Sequence, residues 1–331
     1  MTTQPPRVSV IMPVYNVAAY VGMAVRSVLE QSFTDFELII VDDDGNDNSI
    51  TICKGFEDKR IRIISQRNRG LAGARNTGIA AARGEYIALI DSDDVWTREK
   101  LAVHVAHLDS NPEVGASYGG AELIDERSRL LNIRQSPKLG RITARDVFCG
   151  RAISNGSTPV FRAALLAEAA LPADSEGRVQ YFDETLRRSE DVECWTRLAL
   201  RSKLRFEALN GVWTCYRVNA AGLSADVIRQ LQSWDDVAAR IAVFAPEFVA
   251  RHRPEARARE LRYLARRCVV MRDRGLGWSM VKEALAACPA LLWREPVKTL
   301  TTLAACAVLR VLPPRGFAVL LSVAKPSLAG G

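Results

Sequence analysis

Asp91, Asp93 and Asp94 directly follow the apolar run Tyr86–Ile90. Three carboxylates held that close repel one another unless a cation or solvent compensates. A hard divalent ion, Mg²⁺ or Mn²⁺, meets that need by taking oxygen from one or two of them and completing its shell with phosphate and water. Taken alone, the same D-S-D-D reads as well as a solvated loop capping a helix that begins near Thr97. A second acidic cluster, Asp42, Asp43, Asp44 and Asp47, follows the apolar run Phe36–Val41. A third, Glu190-Asp191, comes just after Ser189, which the pattern marks as the N-cap of a helix over Ser189–Leu200. Two acids in a first helical turn also suit the helix macrodipole and need no further role.

The elements that must position these residues are legible in the first 110 residues. Val8–Met12, Phe36–Val41, Ile61–Ile64 and Tyr86–Ile90 are short, continuous apolar runs rich in Val and Ile, the pattern of buried parallel strands. Between the first two, Val21, Ala24, Val25, Val28 and Leu29 recur at helical spacing; Gly70–Ala82 and Thr97–Leu108 also suit helices. Alternating strands and helices predict an α/β fold, a right-handed βαβ series with helices on both sheet faces. In such sheets ligands bind beyond the C-terminal strand ends, which directs attention to Pro13–Asn16, Asp42–Asp47 and Asp91–Asp94. From Glu113 to Phe206 the pattern weakens, with polar loops such as Ser154–Thr158. After Ala225, Arg- and Ala-rich helices are expected over Val227–Val243, Glu255–Arg272, Trp278–Ala287, Val297–Leu312 and Arg315–Ala324, with Pro246, Gly275, Pro289 and Pro313-Pro314 between them.

Charge divides the chain as the periodicity does. Residues 1–225 carry 28 Lys+Arg against 29 Asp+Glu, and the remainder 17 against 9. The positive excess thus lies in the last third, which points to a domain over 1–225 and a basic helical region over 226–331 that suits a polyanion or an anionic lipid surface. Seven scattered cysteines without a C-x-x-C pair suggest neither a disulfide framework nor a zinc site, and fit a reducing cytosol. No secretory signal is legible at the N-terminus, and no apolar stretch reaches the roughly 18 residues of a membrane span. Nucleic acid is not expected as a partner, because aromatics are not interleaved with the C-terminal arginines as a stacking platform needs. His104 and His107 share a helix with Leu101, Val105 and Leu108, and no chemistry is assigned to them.

Five segments, VSVIMPVYN (Val8–Asn16), FELIIVDDDGNDNS (Phe36–Ser49), NRGLAGARNTGI (Asn68–Ile79), GEYIALIDSDD (Gly84–Asp94) and SEDVECWTRL (Ser189–Leu198), together resemble the inverting family 2 glycosyltransferases in order and spacing. The resemblance covers roughly Val8–Leu223. It implies the GT-A fold, a mostly parallel sheet flanked by helices, and transfer of a sugar from a nucleotide diphosphate donor, with UDP as the expected nucleotide. Pro13, Val14 and Tyr15 match the positions that turn over the base, the Tyr ring stacking on it. Asp43 matches the carboxylate that meets the base; Asn68, Gly70 and Arg75 match the loop and the arginine that approach the donor. Asp91, Ser92 and Asp93 form the D-x-D, with Asp93 as direct metal ligand and Asp91 acting through ribose or water; Asp94 is a third candidate. Asp191 matches the general base. Glu190, Trp195, Tyr216 and Arg217 are candidates for the acceptor side, and Arg197 for a phosphate contact. The sequence departs from the family in D-D-D-G-N-D, where Asp44 displaces the usual glycine.

The implied acceptor is a saccharide or lipid-linked saccharide of cell-surface polysaccharide synthesis. The implied location is the cytoplasm, with peripheral attachment to the inner membrane competing against an ordinary helical subdomain. A nucleotidyltransferase lacks its Gly-rich phosphate loop after Met12, and a non-catalytic nucleotide-sugar-binding module would not need Asp191.

Overall fold

A computed structural model of the chain describes residues 4–150, 152–219 and 226–311. The chain divides into two compact units, Met1–Val147 with Arg151–Asn219, and Phe148–Gly150 with Ala220–Gly331.

In the first unit the elements run β1 (Val8–Val14), α1 (Val21–Leu29), β2 (Phe36–Asp42), α2 (Ser49–Lys54), β3 (Ile61–Ser65), α3 (Gly70–Ala80), β4 (Tyr86–Leu89), β5 (Val95–Trp96) and α4 (Lys100–Ser110). They continue as β6 (Val114–Ile124), β7 (Leu130–Gln135), β8 (Gly140–Ile142), α5 (Ala144–Gly150, its last three residues assigned to the second unit), β9 (Val160–Arg162), α6 (Ala163–Glu168), α7 (Glu190–Arg201) and β10 (Arg205–Arg217). One sheet takes the strands in the order β3-β2-β1-β4-β9-β6-β10-β5, with β7 on β6 and β8 on β10. The first four lie parallel, Val8–Val14 pairing in register with Phe36–Asp42. β9 runs against both of its neighbours, and β6 and β10 are again parallel.

Because side chains alternate across a strand, β1 feeds two cores. Val8, Val10, Met12 and Val14 pack with Val21, Ala24, Val25 and Val28 of α1 and with Leu101, Val105 and Leu108 of α4. Ile11 packs on the other face with Ile39, Val41 and Leu89, with Ala72, Ala74 and Ile79 of α3, and with Cys194, Trp195 and Leu198 of α7. The continuous apolar runs are therefore strands covered on both faces, the α/β architecture expected from them. β3 departs from that expectation: as the edge strand it is only half-buried, since it has one neighbour instead of two.

The second unit contains α8 (Val227–Phe244), α9 (Pro246–Met271), α10 (Arg274–Ala287), α11 (Leu291–Arg294) and α12 (Pro296–Val311). Leu261, Leu264, Cys268, Val281, Ala284, Leu291, Cys306 and Leu309 form its core. Asp226 caps α8 by accepting from the Arg229 N–H, and Asp273 caps α10 by accepting from Gly275 and Leu276. α9 is longer than the periodicity predicts. Pro246 begins it instead of separating helices, because an N–H missing from the first turn would have had no helical partner anyway, and the helix continues through Pro254. The expected segment Arg315–Ala324 lies outside the described residues.

Candidate active site

The D-S-D-D segment joins β4 to β5, at the C-terminal end of a central parallel strand. Its fourth residue is a buried anchor. Asp94 has no exposed surface, accepts from the Ser157 hydroxyl at 2.6 Å through Oδ2 and from the Arg217 N–H at 2.9 Å through Oδ1. Burial, with repulsion from Asp93 and Asp91, holds its carboxyl well above the usual carboxylate range. The same Ser157 hydroxyl accepts from the Asp91 N–H at 2.9 Å, so one side chain ties both ends of the motif. Arg217 adds a bond from Nε to the Asp93 carbonyl at 2.8 Å. Beneath, the Lys100 ammonium donates to the Thr158 carbonyl at 2.7 Å; burial pushes it down to about 7, against the attraction of Asp94.

The E-D segment opens α7. Ser189 takes the N-cap position with φ at 57°, a left-handed conformation, and makes no capping side-chain bond to the helix, so the expected boundary holds but its chemistry differs. Arg75, from the middle of α3, is 1% exposed and joins this segment to the D-x-D. Its Nη1 donates to Glu190 Oε1 and its Nη2 to Asp91 Oδ1, both at 2.7 Å, and its guanidinium lies 5.2 Å from the Phe182 ring centre. Burial pushes the Glu190 carboxyl up to about 7; Arg75 opposes the rise and Asp191 adds to it. Asp191 is half-buried, and its Oδ1 accepts from the Val192 N–H at 2.8 Å. Room for Arg75 comes from Gly156: a β-carbon there would stand 2.5 Å from Nη2.

At the nucleotide end the residues separate. Pro13 and Val14 are buried in β1, whereas Tyr15 is 51% exposed. Asp43 is buried, and its Oδ1 accepts from Gln66 Nε2 at 2.6 Å and from the Arg69 N–H at 2.9 Å. It therefore shapes the loop before α3, and burial raises its pKa against those bonds. Asn68 is exposed in that loop, and Gly70 starts α3 with φ at +73°, a conformation that favours glycine. Asp44 also has a positive φ, 62°, so the aspartate takes the conformation the family's glycine would supply. Asp47 accepts from the Ala18 and Ser49 N–H groups and pins the loop after β1 to the start of α2. Ser92 is buried within the D-x-D turn.

Four expectations from the sequence are corrected. Trp195 is core, stacked 4.6 Å from Phe161 and edge-on to Phe182, because its face of α7 points at the sheet. Arg197 reaches no phosphate: it is fully buried, paired with Glu193 at 2.8 Å and bonded to the Ala169 and Tyr181 carbonyls. Glu190 is engaged by Arg75 instead of facing an acceptor. Arg217 is buried under the D-x-D, with Nη1 on the Asp125 carbonyl and the Ser128 hydroxyl and its guanidinium over the Tyr20 ring. Tyr216 is half-buried on β10. Sequence reasoning missed Ser157, Gly156 and Lys100; a short polar loop was the sole signal for the first two, and Lys100 lay at the start of α4 with nothing to mark it. His104 and His107, given no chemistry, both meet the Ser117 hydroxyl inside the fold.

Asp91 and Asp93 are oxygen donors suited to Mg²⁺ or Mn²⁺. Asp93 is pushed up to about 6 by burial and by repulsion from Asp91, with Arg217 partly offsetting, so its anionic form lacks compensation that a divalent cation would give. Among the described residues no three His, Cys, Asp or Glu side chains form a complete cage, so a metal here would draw the rest of its shell from phosphate and water. The residues present fit such an ion.

The parallel sheet with acidic residues at its strand ends and an E-D helix start defines a GT-A-type nucleotide-sugar transferase fold. S. aureus TarS 1-349 in complex with UDP-GlcNAc has this fold, with a TM-score of 0.55 at 18% identity over 97% of this chain and 86% of that one. Residues 9–168 match Glycosyl transferase family 2, so the chain carries a domain of that family over these residues. WfgD of Escherichia coli, a UDP-Glc:alpha-D-GlcNAc-diphosphoundecaprenol beta-1,3-glucosyltransferase, is 38% identical over 122 residues, 37% of this chain and 48% of WfgD. TuaG of Bacillus subtilis, a putative teichuronic acid biosynthesis glycosyltransferase, is 44% identical over 104 residues, 30% of this chain and 41% of TuaG. These alignments span less than half of each relative's length.

Proposed function

We propose that the protein is an inverting glycosyltransferase that moves a sugar from a UDP-sugar to a saccharide or lipid-linked saccharide acceptor in cell-surface polysaccharide synthesis. The observation that carries this reading is Arg75, whose single guanidinium holds the D-x-D and the E-D segment together at 2.7 Å on each side. The segment that would hold the leaving diphosphate and the segment that would activate the acceptor are thus one electrostatic unit. WfgD and TuaG support the acceptor class by their names, and the UDP-GlcNAc complex of TarS supports the donor class.

Asp191 takes the proton from an acceptor hydroxyl as its oxygen forms a bond to the anomeric carbon. The bond from that carbon to the diphosphate oxygen breaks on the opposite face, and the nucleoside diphosphate departs with the electron pair. Asp91 and Asp93 hold a divalent metal ion, which supplies Lewis-acid stabilisation of the diphosphate when bound. Glu190 and Arg75 fix the helix start that carries Asp191. Tyr15 stacks on the base, and Asn68 and Gly70 bring backbone close to the donor. We place this work at the cytoplasmic face of the inner membrane; no described helix is long and apolar enough to cross a membrane.

The test is Asp191→Asn, isosteric and unable to take a proton. Transfer should fall roughly 10²–10⁴-fold, while the rise in unfolding midpoint produced by UDP with Mn²⁺ persists. Unimpaired transfer by the variant refutes the base assignment. A wild-type chain whose midpoint moves with none of UDP, dTDP or GDP, with or without Mn²⁺, refutes the donor site and favours a domain without transfer activity.

A further inference from the structure

Residues 181–187, just before α7, form a strap that lies along α3 in the opposite direction. Asn76 Oδ1 accepts from the Tyr181 and Phe182 N–H groups at 2.9 and 2.8 Å, and its Nδ2 donates to the Phe182 carbonyl at 2.9 Å. One turn back along α3, Glu184 accepts from Arg69 Nε at 3.0 Å and from Asn76 Nδ2 at 2.9 Å, and a β-carbon at Gly73 would stand 3.2 Å from its Oε2. A further turn back, a β-carbon at Gly70 would stand 2.6 Å from Arg187 Nη1. Gly70, Gly73 and Asn76 recur every third residue and so share a face of the helix. With no side chain on the two glycines, the strap sits against the helix backbone. Its bonds hold it in place and deliver the Arg187 guanidinium to the first residue of α3.

Arg187 is exposed and has no hydrogen-bond or ion-pair partner among the described residues. Arg69 and Arg75 are already committed, the first to Glu184 and the second to Asp91 and Glu190. Gly70 also borders Asp43: the Arg69 N–H donates to Asp43 Oδ1, and the Gly70 N–H faces the same carboxylate. Oδ2 of Asp43 has no side-chain partner among the described residues. An acceptor and a guanidinium donor thus flank one residue. That pair matches the edge of uracil or thymine, where an N3–H donor stands beside a C4 carbonyl acceptor. Cytosine carries the reverse, an acceptor N3 beside an amino donor. Guanine presents the same order as uracil through N1–H and O6, so cytosine is the discriminating base. A phosphate suits the place less well, because Asp43 already puts a carboxylate at the start of α3.

We propose that Arg187 is a specificity-determining residue of the donor site, donating to the C4 carbonyl oxygen of uracil while Asp43 accepts from N3–H. This role rests on the UDP-sugar reading above and deepens it by naming the group that reads the base. The experiment is titration calorimetry of the full chain with UDP and with CDP, each with Mn²⁺, for wild type and Arg187→Met. Wild type should bind UDP roughly tenfold or more tighter than CDP. The variant keeps the length and apolar stem of the side chain without its donors. It should weaken UDP by about tenfold and CDP by less than about twofold, which closes most of the gap. Its unfolding midpoint without nucleotide should stay at the wild-type value, since Arg187 is exposed and unpaired. A wild type that binds UDP and CDP alike, a variant that binds UDP as wild type does, or an equal loss for both nucleotides, as a phosphate contact would give, overturns the role of Arg187 and leaves the donor site standing. A wild type that binds neither nucleotide overturns the donor reading, and this role with it.

Discussion

Arg75→Ala is the perturbation that tests the architecture of the site most directly. It deletes a fully buried cation that sits 2.7 Å from each of two carboxylates, Asp91 and Glu190, the second itself only 5% exposed. Removing one partner of a buried pair leaves uncompensated charge, at a cost of about 3–5 kcal/mol. At roughly 2–4 °C per kcal/mol for a domain of this size, the unfolding midpoint should drop by roughly 6–20 °C. The pH dependence sharpens the test. Folded Glu190 holds its proton up to about 7, above the ordinary 4.5, so the folded state binds a proton that the unfolded chain releases. Its contribution to stability therefore falls as pH rises from about 4.5 to 7 and is level beyond. Arg75 opposes that rise, so its loss moves the folded value higher still, and the deficit of Arg75→Ala should be larger at pH 8 than at pH 5. Adding Glu190→Gln should recover about 1–3 kcal/mol at pH 8, because a neutral amide needs no cation. Urea denaturation of the metal-free protein at both pH values measures each quantity. A deficit below about 1 kcal/mol, or one equal at pH 5 and pH 8, refutes the claim that Arg75 neutralises buried Glu190.

Gly156→Ala puts a β-carbon 2.5 Å from Arg75 Nη2 and should cost about 1–3 kcal/mol in a urea melt, with transfer reduced as well; an unchanged melt would mean the guanidinium has room to move. Ser157→Ala removes the acceptor for the Asp91 N–H and the donor to Asp94, so it should lower stability by about 1–3 kcal/mol in the same assay, and a neutral result would show that another group takes over. Asp93→Ala should abolish the Mn²⁺-dependent part of the UDP-induced midpoint shift. It should not destabilise the metal-free protein at pH 8, since a carboxyl raised to about 6 weakens the fold above its ordinary titration range.

The sheet was legible because the apolar runs of β1, β2 and β4 are continuous, which only strands covered on both faces require, and because α1 and α3 alternate with them at helical spacing. Placement of Asp91–Asp94 at a strand end followed from that alone. Contacts of long sequence separation were not legible. Arg75 reaches Glu190 across 115 residues, Ser157 reaches Asp94 across 63, and Arg217 reaches Asp94 across 123. No local pattern marks such partners, and Ser157 lay in a polar loop indistinguishable from any surface turn. The burial of Trp195 and Arg197 was hidden for a related reason. Trp195 and Arg197 share a helix with Asp191, but both side chains are buried in the fold, which spacing along the helix does not reveal. α9 was underestimated because Pro246 reads as a breaker in a sequence and as a helix start in a structure.

Five acidic residues meet in this site, and their surroundings divide the work among them. Asp94 has its carboxyl raised by full burial and spends both oxygens on Ser157 and the Arg217 N–H, so it serves the fold. Asp91 and Glu190 share Arg75, which leaves Asp91 one oxygen for another partner and Glu190 enclosed at the start of α7. Asp93, like Asp94 and Glu190, has its charge opposed by burial and by a neighbouring carboxylate, and a cation arriving with the donor would relieve both. Asp191, half-buried and bonded through Oδ1 to its neighbour's N–H, is not closed off by Arg75 as Glu190 is. On the proposed mechanism, the metal ligand is the D-x-D carboxylate that Arg75 does not hydrogen-bond, and the general base is the acid of the E-D pair that Arg75 does not hydrogen-bond.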